Sequence, residues 1–151
     1  MPDLLSHVLF ILIACELVNF KKKGLLLFGA ILPDIVAKIV LFGFIVKLPK
    51  ELASTLIVLH SPIPLFFLII LIGLFFKDVF SAVYLIGVGA LSHILLDCLN
   101  AHYLYGIRLL FPFSWNYYRI NLFWPDQYLW VLIPLLTMYL FIKVYKLFKQ
   151  K

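Results

Sequence analysis

An all-α fold, a membrane-integral helical bundle of about five segments, is predicted by three observations. Of 151 residues 65% are hydrophobic and only 13% charged, against roughly 25% charged in a soluble domain. The mean hydropathy is +1.10. The apolar residues fall into runs near the length of a bilayer crossing, without the period-two alternation of a half-buried strand. With 15 Phe and so little polar sequence, the chain cannot cover a core in water. That excludes a disordered tail, a water-soluble enzyme and most nucleic-acid-binding modules. Residues 1–151 read as one membrane domain, integral and multi-pass in a cell membrane.

The first run, Leu4 to Phe20, closes at Asn19 and the Lys21, Lys22, Lys23 cluster. It contains His7, Cys15 and Glu16 and lacks a basic leading region and a small-residue cleavage pattern, so it does not read as a signal peptide. The second, Gly24 to Val46, is long enough to cross about 30 Å of hydrocarbon at about 1.5 Å per residue, and it carries Pro33, Asp34 and Lys38. The third, Leu52 to Phe76, holds His60 and a Pro62-Ile63-Pro64 break; the fourth, Val79 to Leu99, holds His93 and Asp97. The last, Leu129 to Tyr145, contains Pro134 and is followed by lysines. Broken segments of this kind can re-enter instead of spanning. Between the last two runs, Asn100 to Gln127 interleaves aromatics with Arg108, Asn116 and Arg119. Trp and Tyr prefer the headgroup level, which predicts an aromatic-rich surface loop over residues 100–127, placed to roof a site beneath it.

The formal charge is +6 and the sequence pI about 9.4. In a soluble protein this surplus would suggest nucleic acid. Here the lysines cluster beside apolar runs, at 21–23 and at Lys143, Lys146, Lys149 and Lys151, a pattern of topology determinants facing anionic lipid, and no direct nucleic-acid binding is expected. On five spans, eight basic residues lie on the side of the C-terminal tail and four, Lys47, Lys50, Arg108 and Arg119, on the other. This balance favours an external N-terminus. Cys15 and Cys98 lie inside apolar stretches, where a thiol behaves as a small hydrophobe, and no disulfide framework is expected.

Ionisable groups at membrane depth cost at least about 2.5 kcal/mol each and are functional suspects by default. They are His7, Asp34, Lys38, His60, His93 and Asp97. Counting along the five spans places His7, Asp34, His60, His93 and Asp97 in one half of the bilayer. His93 and Asp97, four positions apart, stack on one helix face. Imidazole and carboxylate together suit zinc and other borderline divalent ions, or the carboxylate orients a ligand histidine through its second ring nitrogen. Asp34 and His60 supply a third and fourth ligand from other helices. Blander assignments exist for each group. His7 can snorkel to the interface, Asp34 can pair with Lys38, His60 can serve backbone carbonyls freed by the prolines, and His93 with Asp97 can be a packing pair. His102 and Asp126 read as loop residues, and Glu16 as an interfacial group near Lys21.

Ser6-His7, GAILPDI at Gly29 to Ile35, LHS at Leu59 to Ser61, GALSHILLD at Gly89 to Asp97 and FPFS at Phe111 to Ser114 form a set of short motifs. Together they resemble those of the membrane-bound metal-dependent hydrolases, small integral-membrane proteins that include a LexA-binding, inner-membrane-associated hydrolase type. The resemblance covers most of residues 1–126. It implies a metal centre drawn from His7, Asp34, His60, His93 and Asp97, and a hydrolase activity distantly similar to that of zinc-dependent phospholipase C. Two departures stand out. Thr55 occupies the place of a second histidine found in many relatives, and Ile35-Val36 follow Asp34 where many have Asp-x-Asp. Fewer ligands point to one metal, or two, most simply zinc.

The expected activity is hydrolysis of an ester or phosphoester, with a membrane lipid as substrate. Asp34, His60, His93 and Asp97 are the expected ligands, with His7 as a fifth ligand or as the group that orients water. Arg108 and Arg119 are suited to clamp a phosphate by paired donation. Two other classes fit the same composition. One is a non-catalytic membrane protein that binds or regulates a soluble protein partner; the other is a cation-coupled transporter, for which 151 residues without an inverted repeat are few.

Overall fold

The computed structural model describes residues 4–45, 58–101 and 107–149. Among them are five α-helices: α1 Leu4–Leu17, α2 Lys23–Ile45, α3 Pro62–Gly73, α4 Val79–Leu99 and α5 Tyr128–Lys149, the last preceded by a 3-10 turn at Pro125–Gln127. No β-strand occurs among the described residues beyond two isolated bridges. Helices α4 and α5 are long and apolar enough to cross a membrane. With 14 and 12 residues, α1 and α3 are shorter than the predicted runs that contain them and than the ~20 residues of a crossing.

Local chemistry sets the ends. Asn19, at φ 53°, closes α1 in the left-handed region that Asn tolerates. Phe20 N–H then reaches back to Cys15 O at 2.8 Å and Asn19 N–H to Glu16 O at 3.3 Å, the paired bonds of a Schellman end. Helix α3 begins at Pro62 after an extended Ser61, because proline suits the first helical position, where no donor is needed. This moves His60. The sequence placed it inside the third apolar run, whereas it lies in the turn ahead of α3, and Leu52 to Ile57 of that run lie outside the described residues. Asp78 caps α4 by accepting from Ser81 N–H at 3.1 Å, which holds its carboxyl below the usual carboxylate value.

The closest pairing is between α2 and α4, which approach backbone to backbone at Gly29 and Gly89. A Cβ at Gly89 would fall on the Leu26 carbonyl oxygen, with Ala30 N 2.8 Å and Gly29 Cα 3.0 Å away; one at Gly29 would meet Ile86 backbone. Small residues at this crossing let the helices pack without a hydrophobic drive, as lipid-embedded helices must. Leu32, Leu65, Ile69, Ile86, Ala90 and Ile94 close the core around it.

The alternating chain brings the starts of α1 and α3 and the end of α4 to one end of the bundle. There the segment after α4 docks: Ile120 N–H bonds Cys98 O and Leu122 N–H bonds Leu99 O, each at 2.8 Å. These bonds satisfy carbonyls that the last turn of a helix leaves open. Ile107 is buried in the core, so the surface loop read from the sequence is anchored at the end of α4. His102 lies outside the described residues.

Helix α5 packs on α1 and has no buried residue. Its apolar side chains, Trp130 at 76% and Phe141 at 70% exposure among them, form a surface suited to lipid.

Candidate metal centre

Each of the five expected site residues comes from a different turn of the chain, and the fold brings all five together. His7 stands in the first turns of α1, Asp34 follows Pro33 in mid-α2, His60 precedes α3, and His93 and Asp97 lie one turn apart near the end of α4. His7, His93 and Asp97 are fully buried and Asp34 nearly so, while the His60 side chain keeps 18% exposure. Two overlapping triads result, His7–Asp34–His93 and His60–His93–Asp97, in each of which one ligand atom per residue lies within 4.8 Å of the others.

Asp97 is the hub. Its Oδ2 faces His60 Nε2 at 2.9 Å and His93 Nε2 at 3.3 Å, and its Oδ1 faces His7 Nε2 at 3.4 Å. Asp34 Oδ1 lies 3.8 Å from the same His93 Nε2. The His7 and His93 rings stack at 3.7 Å between centroids.

Backbone carbonyls fix two of the imidazoles. The α2–α4 contact at Gly29 and Gly89 lets His93 Nδ1 donate to Ala30 O at 2.6 Å. His60 Nδ1 faces Pro33 O at 3.3 Å. Carbonyls and carboxylates only accept, so both ring nitrogens of His60 and of His93 face acceptors and a neutral ring can donate to only one of its two. Acceptors facing each other at 2.9–3.8 Å in a buried site require a cation or an added proton among them.

The spacing fits a divalent ion. With bonds of about 2.0 to 2.1 Å, two ligands on zinc lie about 2.9 Å apart at a right angle and about 3.3 Å apart at the tetrahedral angle, and the His–Asp separations of 2.9, 3.3 and 3.4 Å fall at those edges. Carbonyl-oriented imidazoles beside carboxylates are the donor set and surrounding shell that zinc favours. His7 Nδ1 and Nε2, Asp34 Oδ1 and His93 Nε2 are buried without a hydrogen-bond partner among the described residues.

The pairing of Asp34 with Lys38 is not formed: Lys38 is exposed and no ion pair joins them among the described residues. Arg108, one of the two expected phosphate clamps, bonds Tyr117 Oη and lies over the Trp115 and Tyr117 rings at 4.9 and 4.8 Å. Arg119 lies on the exposed part of the same segment. The sequence reading quoted Gly29, Ala30 and Gly89 as motif residues without assigning them the helix contact they form. The signal was present in the Gly-Ala pair that opens both GAILPDI and GALSHILLD. Ser6, quoted there only as part of the Ser6-His7 motif, is fully buried next to His7.

Beside the cluster, an apolar groove of about 580 Å³ runs between α3 and α4. Pro62, next to Ser61, and Ile94, next to His93, line one end, and Phe80 and Val83 the other. From Phe80 to Ile94 is about 21 Å of helix.

Fold and site together define a helical membrane protein with a buried histidine–aspartate cluster at one end. Residues 3–150 match the family model described as YdjM inner membrane protein, and the chain belongs to that family. No curated protein and no solved structure matches it significantly. Membrane localisation follows from this membership and from the two helices of spanning length.

Proposed function

We propose that the protein is a metal-dependent hydrolase that acts within the membrane on an ester or phosphoester, with a phospholipid as its substrate. The observation that carries this is His93: its Nδ1 is committed to a carbonyl and its Nε2 faces two buried carboxylates. His60, His93, Asp97 and Asp34 would hold the ion, and His7 would complete the set or orient water. Zinc suits this mixture of imidazole and carboxylate. A divalent ion there supplies Lewis acidity and a nucleophile at neutral pH.

The chain's own residues do the rest. The Ala30 and Pro33 carbonyls orient the two imidazoles so that each Nε2 points at the carboxylates. Asp97, shared by three histidines, holds negative charge at the centre of the cluster. The packed α2–α4 crossing excludes water from one side. The partial exposure of His60 provides the approach for a substrate. A lipid substrate is supported by the groove, whose apolar wall suits an acyl chain and whose near end adjoins Ser61 and His93. The loop anchored at the end of α4 carries Arg108, pre-oriented by two aromatic rings, and with Arg119 it supplies donors for a phosphate.

The test is turnover of phospholipid and of a simple phosphodiester by zinc-loaded, detergent-solubilised protein and its Asp97→Asn form. Loss of an orienting carboxylate costs about 10 to 100-fold and loss of a ligand more, so Asp97→Asn is expected to fall by at least that factor. Wild-type turnover in Asp97→Asn overturns the reading. So does a verified metal-loaded wild type that is inactive on every ester class, which returns the chain to the class of binding or regulatory membrane proteins.

A further inference from the structure

A second concentration of charge lies at the opposite end of the bundle, where α1 ends, α2 begins and α5 ends. Glu16, only 7% exposed, meets Lys23 Nζ at 2.5 Å and Lys143 Nζ at 2.8 Å, both at Oε1, and Lys146 Nζ at 3.0 Å at Oε2. Lys146 also donates to Glu16 O and, at 2.7 Å, to Asn19 Oδ1, so its three donors are all engaged in tying α5 to α1. A cavity of about 500 Å³ opens at this junction, lined by these groups and by Lys21, with Phe20 and Leu147 as its apolar side. Three ammonium groups therefore share one carboxylate, two of them on a single oxygen, and Lys21 lines the same cavity. Three positive charges remain without a counter-charge in a partly buried site, an arrangement that a second anion relieves.

We propose that this cavity binds the phosphate headgroup of an anionic phospholipid. Lys21, Lys23 and Lys143 supply the ammonium donors, while Phe20 and Leu147 receive the first part of an acyl chain beside the lipid-facing surface of α5. A half-polar, half-apolar cavity at a lysine-rich helix junction suits an amphiphile better than a free ion. The lysine-rich end is also the one that the charge balance assigns to the cytoplasmic leaflet, where anionic lipid is concentrated. This site is separate from the histidine–aspartate cluster and does not depend on the hydrolase reading.

The experiment is native mass spectrometry of the full-length detergent-solubilised protein with equimolar phosphatidylglycerol and phosphatidylcholine. The wild type is expected to retain the anionic lipid preferentially. Lys143→Gln and Lys21→Gln are each expected to reduce that retention about fivefold, with phosphatidylcholine adducts unchanged. Lys21 has no ion pair with Glu16 among the described residues, so Lys21→Gln remains informative if Lys143→Gln fails to fold. A third arm adds inorganic phosphate at millimolar concentration. Retention of the lipid supports a headgroup site, and its displacement shows a free-anion site and overturns the proposal. Equal retention of the two lipids by the wild type, or undiminished preference in both variants, overturns it as well.

Discussion

Replacing Gly89 by alanine adds one methyl group at the tightest point of the bundle. That methyl would overlap the Leu26 carbonyl oxygen and lie 2.8 Å from Ala30 N and 3.0 Å from Gly29 Cα, where ordinary contact begins at 3.4 Å. All three neighbours are backbone and cannot rotate away, so α2 and α4 must separate by about 1 Å to restore a normal contact distance. The same movement lengthens the His93 Nδ1 to Ala30 O bond from 2.6 Å to about 3.6 Å, beyond hydrogen-bonding range. Overpacking costs about 1 to 3 kcal/mol and the lost bond about 0.5 to 1.5 kcal/mol, against which alanine returns up to about 1 kcal/mol of helix propensity. The expected net loss is about 0.5 to 4.5 kcal/mol, with a weakened grip on His93. Gly87, two residues earlier on α4, is the control. A Cβ there meets nothing within 4 Å, so Gly87→Ala is expected to be neutral or to stabilise by up to about 1 kcal/mol. Thermal unfolding of the two variants in the same detergent reads the difference. Equal stability of Gly89→Ala and Gly87→Ala would refute the backbone contact and with it the explanation of how His93 is oriented.

Other outcomes follow from the same structure. Glu16→Gln removes the shared partner of three lysines, and, because those lysines are 28–44% exposed, a loss of about 1 to 2 kcal/mol is expected, below the full cost of stranding buried charge; thermal unfolding and protease access to the α1–α5 junction check it. Gly87→Leu projects into the apolar groove between α3 and α4; turnover of a long-chain phospholipid is expected to fall while that of a short soluble phosphodiester is kept, and equal effects on both would remove the groove from the account. Arg108→Ala is expected to weaken use of phosphate-bearing substrates with metal content unchanged, which a KM comparison with metal analysis reads.

The class of the protein was legible because composition decides it: a chain with 13% charge has to place its surface in lipid. The five candidate residues could be read as a group because the i, i+4 spacing of His93 and Asp97 survives folding unchanged and because intramembrane His and Asp are rare. The location of His60 was not legible. Whether a Pro-Ile-Pro break interrupts a helix or starts one depends on what precedes it, and here Pro62 begins α3. Glu16 was read as an interfacial group near Lys21, but its partners include Lys143 and Lys146, well over a hundred residues away and brought close only by the packing of α5 on α1. Lys38, one turn from Asp34, was the natural local partner. The α2 backbone instead turns Asp34 inward toward His93 and leaves Lys38 exposed. The Gly-Ala pairs of the two longest motifs were visible as sequence. Their role as the contact that lets one helix donate to the other's carbonyl depends on the crossing, which spacing along a single helix does not specify.

The most direct test is metal stoichiometry. Protein exposed to excess zinc and desalted is analysed by elemental mass spectrometry for the wild type, His93→Ala, Asp97→Ala and, as a control at the opposite end of the bundle, Glu16→Gln. The account predicts at least one zinc per chain in the wild type and in Glu16→Gln, and loss of that zinc in His93→Ala and Asp97→Ala. A wild type that retains none, or cluster variants that retain as much as the wild type, would show that the facing Nε2 and carboxylate groups are held by protons and contradict the metal centre.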